Sequence, residues 1–524
     1  MSMRNSIIAT SVLMLGLGCA PPSHATCIPK GLATQAPQDP VARVLAAQDA
    51  CPKNAVEFVD VLKRSGARLE PTMVNFVGFH NPDHGAFFIF EIVSSDGVPP
   101  SGIAIQRGDL LFGHFTAVTG DKRLVSFKSN EDLVIELIAW DQGKGFYNFY
   151  ELSEGDWVYR GDSEAILNDV QRLHRQRKAS EKPFAETLRC SGCHINGGLL
   201  QKELTPPHND WFTRERQLPL GTLKPDSFVK GRLADLVDAG ELSKLVAESP
   251  RRLAESPGYR KVLTARSMQE RLRPLFCPME VNIESDSEPF DDHKSTVQIP
   301  SAFFIDPRLA AAGISVRRED YDAALQKLHS RLPKTPDGRI DADHGWLTPV
   351  KAHSDIVAVD SLIEQGAVSK EIAVAVLGVD FTNPLFSKTR CGLLKLVPDM
   401  GGSDFVARFQ EALRGASVLG ATELLNNLSD PARNAAAHEK QAAAFLGMCQ
   451  QRAADPGAVL DWYRLLAQRR IEVSASEISR NPNGHILEDE PRDAGRIVFP
   501  SSQPRAVAGD LELTLACQVQ QRNP

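Results

Sequence analysis

The chain has 524 residues, of which 42% are hydrophobic and 24% are charged, and its formal net charge is −7. This length exceeds one ordinary hydrophobic core, so we expect several structural units. A mildly acidic chain without a basic tract gives no support for nucleic-acid binding. No segment approaches the roughly 18 apolar residues of a membrane-spanning helix. We therefore expect a globular protein with no nucleic-acid partner and no membrane span.

The N-terminus has the three parts of a secretory signal peptide. Arg4 precedes a short apolar run, Ile7–Leu17, and the small residues Ser23 and Ala25 follow. This order predicts a signal peptide over residues 1–25, with export to the periplasm. Cys19 leaves a second route open. The Leu-Gly-Cys sequence ending at Cys19 resembles a bacterial lipobox, which would make the chain an outer-membrane lipoprotein with a lipid anchor on this cysteine.

The first part of the mature chain is rich in β-branched and aromatic runs. Residues 26–55 form an N-terminal arm around a helical patch, Val41–Ala50. In residues 56–160, turn signals such as Ser95-Asp-Gly97 separate the runs, which favours an antiparallel sheet or a small sandwich. The expected strands are Phe87–Val93, Leu110–Val118, Leu133–Trp140, Phe146–Tyr150 and Asp156–Arg160.

The pattern becomes helical after Gly161. Asp162 and Ser163 signal a helix start, and apolar residues then recur at helical spacing. A second helix is expected from about Phe184 into Cys193, and a long helical stretch over 230–275. Residues 280–310 are expected to be irregular or extended, and 316–455 mostly helical. The helices expected there are Tyr321–Leu332, Asp355–Glu364, Ser369–Leu377, Phe405–Gly415 and Ala436–Arg452. The C-terminal run Gly509–Ala516 alternates like a strand.

The short sequence Cys190-Ser-Gly-Cys193-His194 carries the clearest chemical signal. A structural zinc site would need a second ligand pair, and the chain has only one Cys-x-x-Cys. A thioredoxin-like redox pair would open a helix after a strand, whereas this pair closes a helical run and leads into Gly197 and Gly198. A plain disulfide between the two cysteines stays open as a third alternative. Covalent haem attachment fits best, because two thiols at this spacing reach both vinyl groups of one porphyrin and the next residue can ligate the iron.

At this motif the sequence resembles the c-type cytochromes. The resemblance covers Cys190 to His194, the helical approach and, loosely, the glycines that follow; it does not extend to the rest of the chain. It implies one covalent haem c on Cys190 and Cys193, with His194 as the proximal iron ligand. Haem attachment outside the bacterial cytoplasm agrees with the expected signal peptide.

The sixth iron ligand separates electron transfer from chemistry at the iron, because a strong ligand favours the former and an open position the latter. Three candidates lie downstream of the motif: Met268, His208 and Met279. Met268 lies in a helical stretch at a suitable distance, and His208 lies in a proline-rich loop. Trp211 and an arginine at 214 or 216 are candidates for the haem edge and a haem propionate.

Six cysteines remain once Cys19 and the two motif cysteines are set aside. In an oxidising compartment this even number predicts three disulfides. Cys27 and Cys51 are the expected partners of one, since they flank a short N-terminal segment. The other four cysteines allow three connectivities: Cys277, Cys391, Cys449 and Cys517.

The expected fold class is α+β, with an N-terminal antiparallel β-rich domain followed by a mostly α-helical, haem c-containing region. We interpret the protein as an exported mono-haem c-type cytochrome-like protein that binds iron through its haem and transfers electrons to a redox partner protein in the periplasm. The alternative is a haem enzyme of peroxidase, oxygenase or isomerase type, acting on a small-molecule substrate at an open iron site. The expected divisions are the signal peptide (1–25), the arm (26–55), the β-rich domain (56–160), the haem-binding helical region (161–300), a second helical region (301–455) and the C-terminal segment (456–524).

Overall fold

The chain is an α+β protein with an antiparallel sheet in its N-terminal half and helices in its C-terminal half. This confirms the fold class expected from the sequence. A computed structural model describes residues 27–32, 38–75, 85–99, 101–118, 134–153, 155–171, 189–192, 194–199, 210–211, 226–279, 281–284, 294–328, 346, 348–480 and 510–522. The expected signal peptide and Cys19 lie outside these residues.

The sheet is a meander in which each of six strands pairs antiparallel with the next strand along the chain. A short seventh strand pairs with the free side of the first at Val74 and Asn75. The strands are β1 (Ala67–Asn75), β2 (Gly85–Ser95), β3 (Leu110–Val118), β4 (Val134–Asp141), β5 (Phe146–Ser153), β6 (Asp156–Asp162) and β7 (Asp210–Trp211). The five expected strands are therefore confirmed within a few residues.

Strand β1 was missed because its sequence contains Pro71 and charged residues, which argue against a strand. The structure accommodates the proline because β7 does not extend to it, so its missing N–H interrupts no ladder bond there. The Pro71 carbonyl instead accepts a hydrogen bond from Val237 N–H at 2.7 Å. An edge position thus accommodates a residue that the sequence pattern excluded.

Each face of the sheet has its own hydrophobic core, because successive side chains of a strand point to opposite faces. The first face carries Phe112 and Ile135 and packs against helices α1 (Pro40–Ala46) and α2 (Ala55–Arg64). The second face carries Trp140, Tyr147 and Phe149. It packs against α3 (Ser163–Val170) and against a later helix, Gly240–Glu255. Asp162 caps α3 by accepting a hydrogen bond from Ala165 N–H at 3.0 Å, as its sequence predicted.

The expected long helical stretch over 230–275 is four helices instead of one. Two serines cause breaks, since each adopts an extended backbone and caps the next helix: Ser256 accepts from Tyr259 N–H and Ser267 from Glu270 N–H. The helices are α4 (Ser227–Ala234), α5 (Gly240–Glu255), α6 (Pro257–Thr264) and α7 (Met268–Phe276). Helices α5 and α6 pack against the second face of the sheet, whereas α4 packs in the core of the first face and α7 belongs to the C-terminal cluster.

The remaining helices and two small two-stranded sheets share one buried cluster that runs from Met268 to Cys517, and a third two-stranded sheet pairs Val281–Glu284 with Thr348–Lys351. The expected helices are present with shifted ends, and α16 was missed. The elements are β8 (Val281–Glu284), β9 (Thr296–Ile299), α8 (Ser301–Phe304), β10 (Ile314–Arg317), α9 (Arg318–Leu328), β11 (Thr348–Lys351), α10 (His353–Glu364), α11 (Lys370–Leu377), α12 (Lys388–Leu393), α13 (Phe405–Leu413), α14 (Ala421–Asn427), α15 (Pro431–Arg452), α16 (Pro456–Arg480), β12 (Leu511–Leu513) and β13 (Val519–Gln521).

Three disulfides use the six cysteines that the sequence set aside for them. Cys27 is bonded to Cys51, the one pair that the sequence predicted. The other four cysteines, for which three connectivities were open, are paired as Cys277–Cys391 and Cys449–Cys517. The first of these joins the end of α7 to α12. Within the described part of the chain, no helix has the length and apolar character needed to cross a membrane.

Candidate haem attachment site

The Cys-x-x-Cys-His turn lies against the second face of the sheet. Arg189–Gly192 forms a single 3₁₀ turn, and the backbone N–H of His194 donates to the carbonyl of Cys190 at 2.9 Å. Cys190 packs against the same buried cluster as Trp140 and Phe149. The helix expected from Phe184 into Cys193 is therefore a 3₁₀ turn where it is described; residues 172–188 and Cys193 itself lie outside the described residues.

The imidazole of His194 is held in one orientation. Its Nδ1 lies 2.8 Å from the carbonyl oxygen of Gly198, and its ring centroid lies 5.1 Å from that of Phe149. A carbonyl oxygen only accepts hydrogen bonds, so Nδ1 must carry the proton. The lone pair is then on Nε2, the nitrogen that a metal would bind. The hydrogen bond thus fixes the tautomer of His194 and leaves the Nε2 lone pair as its metal-binding position.

Two glycines make the turn after His194 possible. Gly197 has φ +74°, and a Cβ at this position would lie 3.0 Å from the carbonyl oxygen of Ser163. The hydroxyl of Ser163 donates to the Gly197 carbonyl at 2.6 Å, while Gly198 N–H donates to Asn196 Oδ1 at 2.7 Å. Only glycine combines this backbone conformation with so close an approach to α3. The glycines therefore place the carbonyl that orients His194.

Side chains from two further helices fix the same turn. Ser249 of α5 accepts a hydrogen bond from Leu199 N–H at 3.0 Å. Tyr259 of α6 donates its hydroxyl to the carbonyl of Asn196 at 3.5 Å. Burial raises the pKa of Tyr259 to about 12, so the phenol stays protonated and remains a donor at neutral pH. The turn is thus held by the sheet, α3, α5 and α6 together.

An open cleft lies directly beside the turn. Its volume is about 830 Å³, open solvent included, and its walls come from α3, α6, α7, α10 and the turn itself. Ile195 and Asn196, which follow His194 in sequence, line one side. Met279 lines another side and packs against the same buried cluster as Cys190 and Ile195. The cleft therefore opens to solvent next to the turn that carries the Cys-x-x-Cys-His sequence.

The structure places Met268, the first candidate for the sixth ligand, in a different buried cluster from Cys190. Its side chain is 1% exposed and belongs to the C-terminal core. Its sulfur lies 3.4 Å from Nη1 of Arg271, and its backbone N–H donates to the carbonyl of Asp399. Met268 is the first residue of α7, and its side chain packs in the C-terminal core. Its sulfur therefore does not line the cleft. Of the methionine candidates, Met279 is the one that lines the cleft.

Several candidate residues fall outside the described residues: His208, Cys193 and the two arginines at 214 and 216. Trp211 is described only through its backbone, which pairs with Val74 in the sheet. Among the described residues, no three histidine, cysteine or acidic side chains converge as a metal cluster, so the zinc alternative gains no additional ligand there. A haem site needs no such cluster, because the porphyrin supplies four of the iron ligands.

No protein-family model, no curated protein and no solved structure matches this chain. The interpretation of the site therefore depends on the motif and on the geometry that surrounds His194.

Proposed function

We propose that the chain is an exported mono-haem protein of the c-type cytochrome kind that transfers electrons. The observation that carries the proposal is the pairing of the Cys190-x-x-Cys193-His194 motif with the hydrogen bond from Nδ1 of His194 to the Gly198 carbonyl. The motif alone is a sequence pattern. The hydrogen bond adds the tautomer and orientation that a proximal histidine requires.

Each residue of the motif has a definite role in this proposal. The thiols of Cys190 and Cys193 would hold the haem through thioethers, each adding across one vinyl group with the thiol proton going to the neighbouring vinyl carbon. Nε2 of His194 would ligate the iron. When bound, the iron supplies one-electron exchange between its ferrous and ferric states. Phe149 and the glycine turn keep the imidazole from rotating away.

Met279 is the proposed sixth ligand. It lines the cleft and packs against the cluster that contains Cys190, whereas Met268 is enclosed in the C-terminal core. A thioether is a soft ligand that favours the reduced iron and raises its potential. A closed, six-coordinate iron would favour electron transfer to a redox partner protein.

The open cleft also supports a second candidate function. Because it opens to solvent, it would admit a small molecule toward the iron, as a haem enzyme of peroxidase, oxygenase or isomerase type requires. The two functions differ in one property, the accessibility of the sixth position. Carbon monoxide reports this directly, because it binds reduced iron when that position is open.

The disulfides support an extracytoplasmic location. Three disulfides in one chain are typical of an oxidising compartment, and bacterial haem c attachment takes place outside the cytoplasm. We therefore propose the periplasm, reached through a signal peptide over residues 1–25. The alternative form of this proposal is an outer-membrane lipoprotein that carries a lipid anchor on Cys19.

Absorption spectra of the haem-loaded protein test the function. In the oxidised wild type we expect the weak near-infrared band of methionine ligation, and in the reduced wild type no binding of carbon monoxide. Met279→Ala should lose the band and bind carbon monoxide. Met268→Ala, the matched control, should keep the band although it is less stable. If the reduced wild type binds carbon monoxide rapidly and completely, the proposed electron-transfer function is wrong and the haem-enzyme function takes its place.

A further inference from the structure

The cleft beside the turn contains three arginines within one short segment. Arg266 precedes α7, and Arg271 and Arg273 lie on it; all three line the cleft. Two carboxylates also line it, Glu270 and Asp355. The carboxylate of Asp355 accepts a hydrogen bond from Met279 N–H at 2.7 Å. The wall thus carries more positive than negative charge.

The contacts of these arginines leave much of their charge uncompensated. Arg266 donates to the neutral amide oxygen of Asn168 at 3.1 Å, and Arg271 directs Nη1 at the sulfur of Met268 at 3.4 Å. The buried Nε of Arg271 has no hydrogen-bond partner among the described residues. Neither an amide oxygen nor a thioether sulfur carries the negative charge that a guanidinium normally meets in a protein interior.

Burial adds to this imbalance. It lowers the pKa of Arg266, Arg271 and Arg273 below the usual arginine value. The charge of Glu270 opposes the effect at Arg266 and Arg273, and that of Glu164 also opposes it at Arg266, but no carboxylate opposes it at Arg271. Partly desolvated guanidinium groups on a cleft wall gain from an anion that forms paired hydrogen bonds, and a carboxylate has the matching planar geometry.

We propose that Arg266, Arg271 and Arg273 bind ligand carboxylates in this cleft, and that these are the two propionates of the haem attached at Cys190 and Cys193. The inference rests on the proposed function. The same cleft begins at Ile195 and Asn196, directly after the proposed iron ligand, and the proposed cofactor carries two carboxylates on one edge. The arginine wall would then hold the cofactor's acidic edge while the turn holds its thioether edge.

A soluble carboxylate substrate is the other source of the same chemistry, and the experiment separates the two. The first measurement is the midpoint potential of the haem-loaded protein against pH. Loss of a cation beside a propionate raises the pKa of that propionate by about one unit or more. In Arg271→Gln and Arg273→Gln we therefore expect the pH-dependent part of the profile to move to higher pH and the alkaline potential to fall. Arg271→Lys, which keeps the charge, should restore most of the wild-type profile.

Arg251→Gln is the matched control. This arginine lies on α5, its side chain is 55% exposed, and it does not line the cleft. This variant removes the same charge outside the cleft, so its profile of midpoint potential against pH should remain that of the wild type. The proposal is overturned if the cleft variants change the profile no more than this control does. Arg273→Gln keeps the test decisive if Arg271→Gln fails to fold.

The second measurement is the thermal unfolding of the same proteins with added succinate. If propionates occupy the arginines, succinate should not raise the Tm of the haem-loaded wild type. If succinate raises it, and Arg271→Gln abolishes the effect while the potential profile is unchanged, the site takes soluble carboxylates and the propionate assignment is wrong. If wild-type protein carries no haem, the propionate assignment fails together with the proposed function. Succinate binding by the apoprotein then decides separately whether the arginines bind carboxylates.

Discussion

Nδ1 of His194 lies 2.8 Å from the carbonyl oxygen of Gly198, four residues further along the chain. This hydrogen bond closes a loop of the chain on itself and fixes the tautomer of the imidazole. The Gly198 carbonyl is in position because Gly197 adopts a left-handed conformation beneath Ser163. The orientation of the His194 imidazole therefore depends on the backbone conformation of Gly197, one residue before the accepting carbonyl.

Gly197→Ala should destabilise this turn and lower the yield of haem-loaded protein. The new Cβ would lie 3.0 Å from the Ser163 carbonyl in a left-handed backbone conformation. The conformation costs roughly 1–2 kcal/mol and the crowding about 1–3 kcal/mol more. Denaturant unfolding of the apoprotein measures the stability, and absorbance measures the haem content.

Gly415→Ala is the control for that variant. Gly415 has φ +72°, but a Cβ there would meet no atom within 4 Å. It should lose only the conformational part of the stability and keep its haem. Equal losses in stability and in haem content for the two variants would contradict the role of close packing at Gly197.

The count of reactive thiols in denatured, unreduced protein should depend on haem attachment. Six cysteines form disulfides, and the two thioethers of the proposed haem consume Cys190 and Cys193. Haem-loaded protein should therefore show at most one reactive thiol, that of Cys19 where it is retained and not lipidated. Four or more reactive thiols would contradict the disulfide pairing.

The disulfide between Cys277 and Cys391 should contribute more to stability than the one between Cys27 and Cys51. The first joins residues 114 positions apart and the second residues 24 apart. Loop-closure entropy in the unfolded chain gives about 3 kcal/mol for short loops and about 4.7 kcal/mol for loops near 100 residues. Paired Cys→Ser variants, compared by denaturant unfolding, test this order; a larger loss from the Cys27–Cys51 pair would reverse it.

Tyr150→Phe should cost more stability at neutral pH than at acidic pH. The Tyr150 hydroxyl donates to the buried carboxylate of Asp39 at 2.6 Å. Burial raises the pKa of Asp39, and the Tyr150 hydrogen bond opposes that rise. A carboxyl group whose pKa is raised on folding contributes most to the free energy of unfolding at low pH. That contribution is lost as the pH rises through the pKa of the group in the folded protein. Without the hydroxyl the folded pKa rises further, so the loss should be about 1–3 kcal/mol at pH 7 and smaller toward pH 4.

Urea unfolding at both pH values measures this difference. Asp39→Asn combined with Tyr150→Phe provides the control, because a neutral side chain at position 39 removes the charge from the comparison. The difference in the free energy of unfolding between Asp39→Asn and the double variant should be the same at both pH values. A loss for Tyr150→Phe that is equal at both pH values would show that the carboxylate charge is not involved.

The sequence predicted those strands whose apolar residues are bounded by clear turns. It missed elements where tertiary structure overrides a local preference, such as the exclusion of proline from strands. Pro71 concealed β1, because only the sheet topology shows that its missing N–H is at an edge. Ser256 and Ser267 divide a stretch that periodicity alone joined. Helix α16 was missed as a long element in a segment interpreted as terminal.

The candidate site shows the same division. The spacing of Cys190, Cys193 and His194 is local, so the sequence contains it in full. The choice between Met268 and Met279 depends on which face of α7 meets the bundle and on where the chain runs after Cys277. Neither is a local property. The arginines that line the cleft were also missed, because Arg271 and Arg273 on an amphipathic helix are typical of a solvated face, and only tertiary packing shows that they line a cleft.

The intact mass of the denatured protein, purified from bacteria that mature c-type cytochromes in the periplasm, tests the central claim most directly. The account predicts that the wild type has the mass of the processed chain plus one haem, retained after denaturation because two thioether bonds hold it. The Cys190→Ala, Cys193→Ala double variant should have no added mass. Wild-type protein at the mass of the chain alone, from cells that load a known cytochrome c in the same preparation, would contradict the account.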